Sequence, residues 1–313
     1  MGIEAKIKDI LRECGPLTGS QLSEKLPQFT TIALWRQCYG SASIRVSNCA
    51  RYYLRYDITR DNQLRLSPSI LRDFLTFSLV YLTDHMVKIV EAGTLLANQF
   101  RTFSLQKLNW AREALLQLDD DLQQVLYDYC VVFLSGDISY YLAHQTKRKH
   151  PQLGVEINGS DIDIVIVTNR AAPPDKIARV ESQLLTTKKI FLTTPHIGEE
   201  LDFIVKPIDI MLEQSRYGDI HQKIASKILY ESYFLMGRVD VYHMLMKHLK
   251  LSGTWQRIDD DFDTALRQRK NTIAKILALD ADVSTDDPEV ASLFFASKER
   301  LSSGRCSNRV QIN

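Results

Sequence analysis

Asp161 and Asp163 stand two residues apart at the head of the run Ser160-Asp161-Ile162-Asp163-Ile164-Val165-Ile166-Val167. The unbroken, mostly β-branched stretch 164–167 predicts a strand covered on both faces. In a strand, residues i and i+2 project to the same side, so the two carboxylates point together. Neighbouring carboxylates repel, and taking them out of water costs free energy. A divalent cation between them relieves both penalties, and an all-oxygen ligand set suits Mg²⁺ or Mn²⁺. The plainer alternative is a pair of solvated aspartates closing a turn.

Two further pieces bear on that choice. Upstream, the apolar run 129–134 leads into Ser135-Gly136-Asp137-Ile138-Ser139, which reads as strand, glycine turn and helix start. Backbone N–H groups exposed at such a turn can cradle a phosphate. Downstream, Glu200-Leu201-Asp202-Phe203-Ile204-Val205 reads as a third strand, with Asp202 set among apolar residues.

Glycine turn, paired-acid strand and single-acid strand, in that order, resemble the nucleotidyltransferase superfamily of the DNA polymerase β type over roughly residues 125–250. The order Ser135-Gly136 reverses the usual Gly-Ser, and residues 140–158, with Lys147, Arg148 and Lys149, lengthen the gap before the paired acids. The resemblance implies an α+β fold whose mixed sheet is flanked by helices. It implies that Asp161, Asp163 and Asp202 hold two Mg²⁺ or Mn²⁺ ions around a nucleoside triphosphate. Ser135, Gly136 and Ser139 would form the phosphate turn. Helices after the core in similar enzymes close over the nucleotide, and Lys223, Lys227 and Tyr230 stand where groups for the phosphates and the base are expected. The implied reaction moves a nucleoside monophosphate onto an acceptor hydroxyl of RNA, protein or nucleotide and releases pyrophosphate. Asp209 is a reserve ligand, better read as a turn residue.

Residues 3–65 read as a separate module. Apolar spacing predicts helices over 3–14, from Thr18 or Ser20 to Pro27, and from Thr30 or Thr31 to Cys38. Two alternating segments, 43–46 and 51–56, then predict a β-hairpin. That order resembles a winged helix-turn-helix. Arg36, Arg45, Arg51, Arg55, Arg60 and Arg65 face only Asp57 and Asp61 along this stretch, a local surplus suited to the backbone of DNA or RNA. Winged helices also dock proteins, so a partner protein is the other expectation.

The expected domains are a winged helix over 1–66, a helical spacer over 67–127, the catalytic core over 128–212, a helical region over 213–300 and a disordered tail over 301–313. Within them, one long helix is expected from 67 to about 100 and another capped by Ser104. Residues 119–121, three aspartates, read as a helix start, 190–192 as a short strand, and 219–250 as helical throughout.

Composition sets the frame. The 313 residues allow more than one domain. Hydrophobic residues make up 45% and charged residues 25%, an ordinary globular balance. A net charge of +1 provides no global field for nucleic acid. The longest apolar stretch, 74–82, is too short to span a bilayer, and the charged N-terminus does not read as a signal peptide. Five scattered cysteines without C-x-x-C spacing fit free thiols in a reducing cytoplasm. No Walker A motif, dinucleotide fingerprint or nucleophile elbow occurs. A DNA-binding-like module beside such a core is similar to prokaryotic toxin–antitoxin and phage-defence nucleotidyltransferases. The rival reading is a DNA-binding regulator, or an antitoxin-like partner, with a non-catalytic, nucleotide-sensing core.

Overall fold

The β-branched run around Val165 lies inside a four-stranded mixed sheet with the order Leu201–Pro207, Ile162–Thr168, Cys130–Ser135, Tyr233–Gly237. These strands belong to a computed structural model that describes residues 2–50, 56–58, 64–65, 70–84, 86–149, 154, 156–194, 197–279 and 294. The outer pair Leu201–Pro207 and Ile162–Thr168 is parallel; the other two pairings are antiparallel. The parallel pair requires a crossover, which the helix Pro174–Thr193 makes. The protein is thus mixed α+β. Among the described residues no helix is long and apolar enough to cross a membrane.

Period-two alternation divides this sheet between two cores. Ile162, Ile164 and Ile166, with Val132 and Leu134, pack with Leu115, Leu122, Leu126, Val180 and Leu184. Val165 and Val167, with Val131 and Phe133, pack with Met211, Leu229, Leu245 and Leu249. A strand covered on both faces carries no polar alternation, which is why its sequence is a plain apolar run.

The chain divides into two compact units, Gln99–Asp260 and Met1–Asn98 with Asp261–Asn313. The second contains the helices Ile3–Cys14, Gly19–Lys25 and Thr31–Gly40. Thr18 caps the middle helix through a capping box with Gln21, and Thr30 caps the third. Its three-stranded antiparallel sheet has the order Leu17–Thr18, Ser78–Leu82, Ile44–Asn48. Ile276 and Phe294 are buried in the same core as Leu34, Trp35 and Phe74. Below that core, buried Asp73 accepts from Asn48 and from Arg269, 3.3 Å away.

Several local expectations are corrected here. Residues 78–82, expected as helix, form the central strand of the three-stranded sheet. All five are buried, and a short apolar run of that kind has the same pattern in a buried strand as in a buried helix. The strand Ile44–Asn48 therefore pairs with Ser78–Leu82; residues 51–55 of the expected hairpin lie outside the described residues. A two-residue pairing joins Asp57–Ile58 to Leu64–Arg65. Met86–Leu116 is one continuous helix, within which the Ser104 hydroxyl donates to the Phe100 carbonyl at 2.7 Å instead of capping a new helix. Residues 190–192 belong to the helix Pro174–Thr193. The block 219–250 is broken by the strand Tyr233–Gly237. The expected tail, 301–313, lies outside the described residues.

Gly237 closes the sheet edge. Its φ of 92° is left-handed, and a Cβ there would lie 2.2 Å from the Cys130 carbonyl oxygen. We expect Gly237→Ala to lower stability by about 3 kcal/mol through combined strain and clash, read as an earlier urea midpoint. An unchanged midpoint would show that this edge yields without cost.

Candidate functional site

Strand register brings the singled-out acids together. Asp163 is paired across the sheet with Asp202 on one side and with Ser135 on the other. Asp163 shares the parity of Val165 and Val167, and so faces the Met211, Leu229 and Leu245 side of the sheet. Asp161 stands two residues before it, at the strand mouth.

The approach to Asp161 is a tight turn tied down on several sides. Gly159 has φ 54°, and a Cβ on it would fall 1.7 Å from the His144 carbonyl oxygen. The Ser160 N–H donates to that same carbonyl at 3.1 Å. The Ser160 hydroxyl donates to Asp137 Oδ2 at 2.7 Å. Buried Lys107 donates to the Asn158 carbonyl at 2.9 Å and pairs with Glu199. Together these contacts fix the direction in which Asp161 leaves the turn.

The glycine turn lies against Asp163. Gly136 has φ 79°, and a Cβ there would stand 2.8 Å from Asp163 Oδ2, so any larger residue would press on the carboxylate. The Gly136 N–H and the Ser135 hydroxyl both donate to Glu231 Oε1, at 3.1 and 2.9 Å. Glu231 also forms an ion pair with Lys227. The Ser139 hydroxyl turns inward and donates to the Gly136 carbonyl at 2.7 Å.

The charge around Asp163 is one-sided. Burial pushes its carboxyl up to about 8, and Asp161, Asp202, Asp137 and Glu231 push in the same direction. Asp202, half-buried, is paired with Lys188 from the crossover helix. The donor set is of the kind that suits a hard cation: oxygen only, with Asp163 and Asp202 on adjacent strands. Among the described residues, however, no three acids, histidines or cysteines stand gathered in a ready coordinating group. A cation shared with Asp202 would have to replace Lys188 there.

The remaining residues expected at the site are dispersed. Lys227 reaches it through Glu231. The Lys223 ammonium lies 4.9 Å from the centre of the Tyr217 ring. The Tyr230 hydroxyl donates to Asp259 Oδ1 at 2.6 Å, and its ring packs 4.4 Å from that of Trp255, so stacking on a base would require it to leave both. Asp209 pairs with Arg170 through two 2.8 Å hydrogen bonds. In the first-numbered helices, Arg36 turns to the Leu279 carbonyl, and one of its guanidinium nitrogens is buried with no hydrogen-bond partner among the described residues. Arg45 is exposed and donates to the Ala42 and Ile44 carbonyls at 3.1 and 3.2 Å. Arg51 and Arg55 lie outside the described residues.

Sequence reading missed Glu231, Asp137 and Lys188 as neighbours of the acids. Asp137 was visible as an acid inside the turn. Glu231 and Lys188 belong to no spacing pattern, and only tertiary packing brings them here.

Comparison with known proteins adds no relative: no protein-family model, curated protein or solved structure matches the chain.

The crowding has a measurable sign. Below pH 4, Asp163 holds its proton in both the folded and the unfolded chain. Between about 4 and 8 the unfolded chain releases it while the folded chain retains it, so stability falls as pH rises through this window and levels off above it. Asp163→Asn removes that dependence. With chelator present, its melting temperature should exceed the wild type's by about 3 °C or more at pH 8 and by little at pH 4.5. A lower melting temperature at pH 8 would show that the carboxylate is not crowded.

Proposed function

We propose that the chain is a metal-dependent nucleotidyltransferase of the polymerase β type, transferring a nucleoside monophosphate from a triphosphate to an acceptor hydroxyl with release of pyrophosphate. The observation that carries this reading is the direct cross-strand pairing of Asp163 with Asp202 beside a left-handed glycine turn. Two adjacent strands hold Asp163 and Asp202 in register, and burial together with the neighbouring acids raises the Asp163 carboxyl.

The chain's residues divide the work. Asp161 and Asp163 present carboxylates for Mg²⁺ or Mn²⁺, and Asp202 completes the set. Bound there, the cations would offset charge on the phosphates and acidify the acceptor hydroxyl. Asp202 would take the proton of that hydroxyl as it leaves Lys188. Ser135 and Gly136 supply a hydroxyl and an N–H donor to the phosphates, and Lys227 supplies charge from the helix Ile220–Tyr230. The acceptor class stays RNA, protein or a second nucleotide.

The test is incubation with each α-³²P-labelled nucleoside triphosphate, Mg²⁺ or Mn²⁺, and total cellular RNA and protein. Label should pass to one acceptor class and vanish in Asp161→Ala/Asp163→Ala. If no nucleotide gives label on any acceptor, the transferase reading is wrong.

A second reading, a regulator with a nucleotide-sensing core, is favoured by one observation. The turn donors and Asp202 are already engaged by Glu231 and Lys188. This reading places function in the N-terminal arginines. Joint replacement of Arg45, Arg51 and Arg55 by alanine should then weaken DNA or RNA binding by about tenfold or more at low salt and flatten its salt dependence. No salt-dependent binding by the wild type would assign the module to protein docking.

A further inference from the structure

Glu231 has no part in the transfer described above, yet it holds three of the groups that transfer needs. Its side chain is only 3% exposed. Oε1 accepts from the Ser135 hydroxyl at 2.9 Å and from the Gly136 N–H at 3.1 Å. Oε2 accepts from the Lys227 ammonium. A hydroxyl, a backbone N–H at a glycine turn and a lysine are the donor types that bind a phosphate oxygen. A carboxylate offers them similar geometry: two oxygens sharing a negative charge.

The local backbone gives no reason for an acid at this position. Glu231 follows the last residue of the helix Ile220–Tyr230, where the helix dipole disfavours negative charge. Its charge also adds to the crowding of Asp163. What retains the carboxylate is the donor set itself. The acid side shows the matching arrangement, with the Lys188 ammonium on the Asp202 carboxylate where the proposed function puts a metal ion.

We propose that Glu231 is an internal occupant of the phosphate turn, which a nucleoside triphosphate must displace. Nucleotide loading is then an exchange. Glu231 releases Ser135 and Gly136, and Lys227 passes from the carboxylate to a phosphate. The resting site is closed by its own charges, and the fraction of molecules in which Glu231 has swung away sets the apparent affinity. This inference rests on the nucleotidyltransferase reading.

The experiment is titration of wild type and Glu231→Gln with each of the four nucleoside triphosphates in Mg²⁺, by calorimetry, alongside the label-transfer assay. Glutamine keeps the size and one acceptor oxygen but gives up the charge that holds Lys227. The best-binding nucleotide should bind Glu231→Gln about tenfold tighter or more. Adding Lys227→Met should remove that gain, an effect that a purely structural role for Glu231 would not produce. If Glu231→Gln does not fold, Glu231→Asp, whose carboxylate is drawn back by one methylene, is titrated in its place with the same expectation. Equal or weaker binding in a folded variant, with label transfer by the wild type, overturns the internal occupant and leaves the transferase standing. Tighter binding without transfer by either chain supports the occupant and overturns the transferase. No binding by any variant overturns the occupant.

Discussion

Asp163 sits where two β-ladders and a glycine turn converge, and its carboxyl has acids on several sides and little room. Isolated, such a group would be expelled to solvent or left protonated. It stays because its backbone is not free to move. The strand is locked in register with Asp202 on one side and Ser135 on the other; Ile162 and Ile164, before and after Asp163, are buried in one core, and Val165 and Val167 further along the strand in the other. Slipping by one residue would turn Ile162 and Ile164 out of their core and put Asp163 in their place. Hydrophobic packing on both faces therefore holds an electrostatically unfavourable arrangement at the strand mouth.

The neighbouring charges are then intelligible as responses to that constraint. Lys188 comes from the crossover helix that the parallel pair requires, and it meets Asp202. Lys227 comes from the helix that covers the other face, and it meets Glu231. Neither cation pairs with Asp163 itself, whose carboxyl keeps its raised affinity for a proton. Proton, ammonium and divalent cation are alternative ways to satisfy one local excess of negative charge. The proposed chemistry uses the last of them.

Much of this was legible in the chain, for stated reasons. A strand buried on both faces leaves a β-branched run, and that run is the strand Ile162–Thr168; Asp161 stands just before it, where period-two geometry no longer fixes its side. The lone acid of the strand Leu201–Pro207 was visible in the same way, although its pairing partner was not. The strand Ser78–Leu82 was hidden because complete burial erases alternation. The strand Tyr233–Gly237 was hidden because Phe234, Leu235 and Met236 continue an apolar helical pattern; only Gly237 hinted at an interruption. For Tyr230, sequence could not show that Trp255 and Asp259 lie beside it. Glu231 was missed because a single acid after a helix is ordinary until the donors around it are seen.

The unit formed by Met1–Asn98 is completed by residues from the far end of the chain. Ile276 and Phe294 are buried in its core, and Arg269 meets Asp73 there. During synthesis, the first-made helices must therefore wait for nearly the whole chain. At ~5–20 residues per second, that delay is on the order of ten seconds or more, during which Leu34, Trp35 and Phe74 lack some of their native cover. The unit with the clustered acids, Gln99–Asp260, is contiguous and meets no such delay. Birth order is thus reversed: the middle of the polypeptide can mature before its beginning, and a ribosome that stalls late leaves the contiguous unit whole and the two-segment unit unfinished.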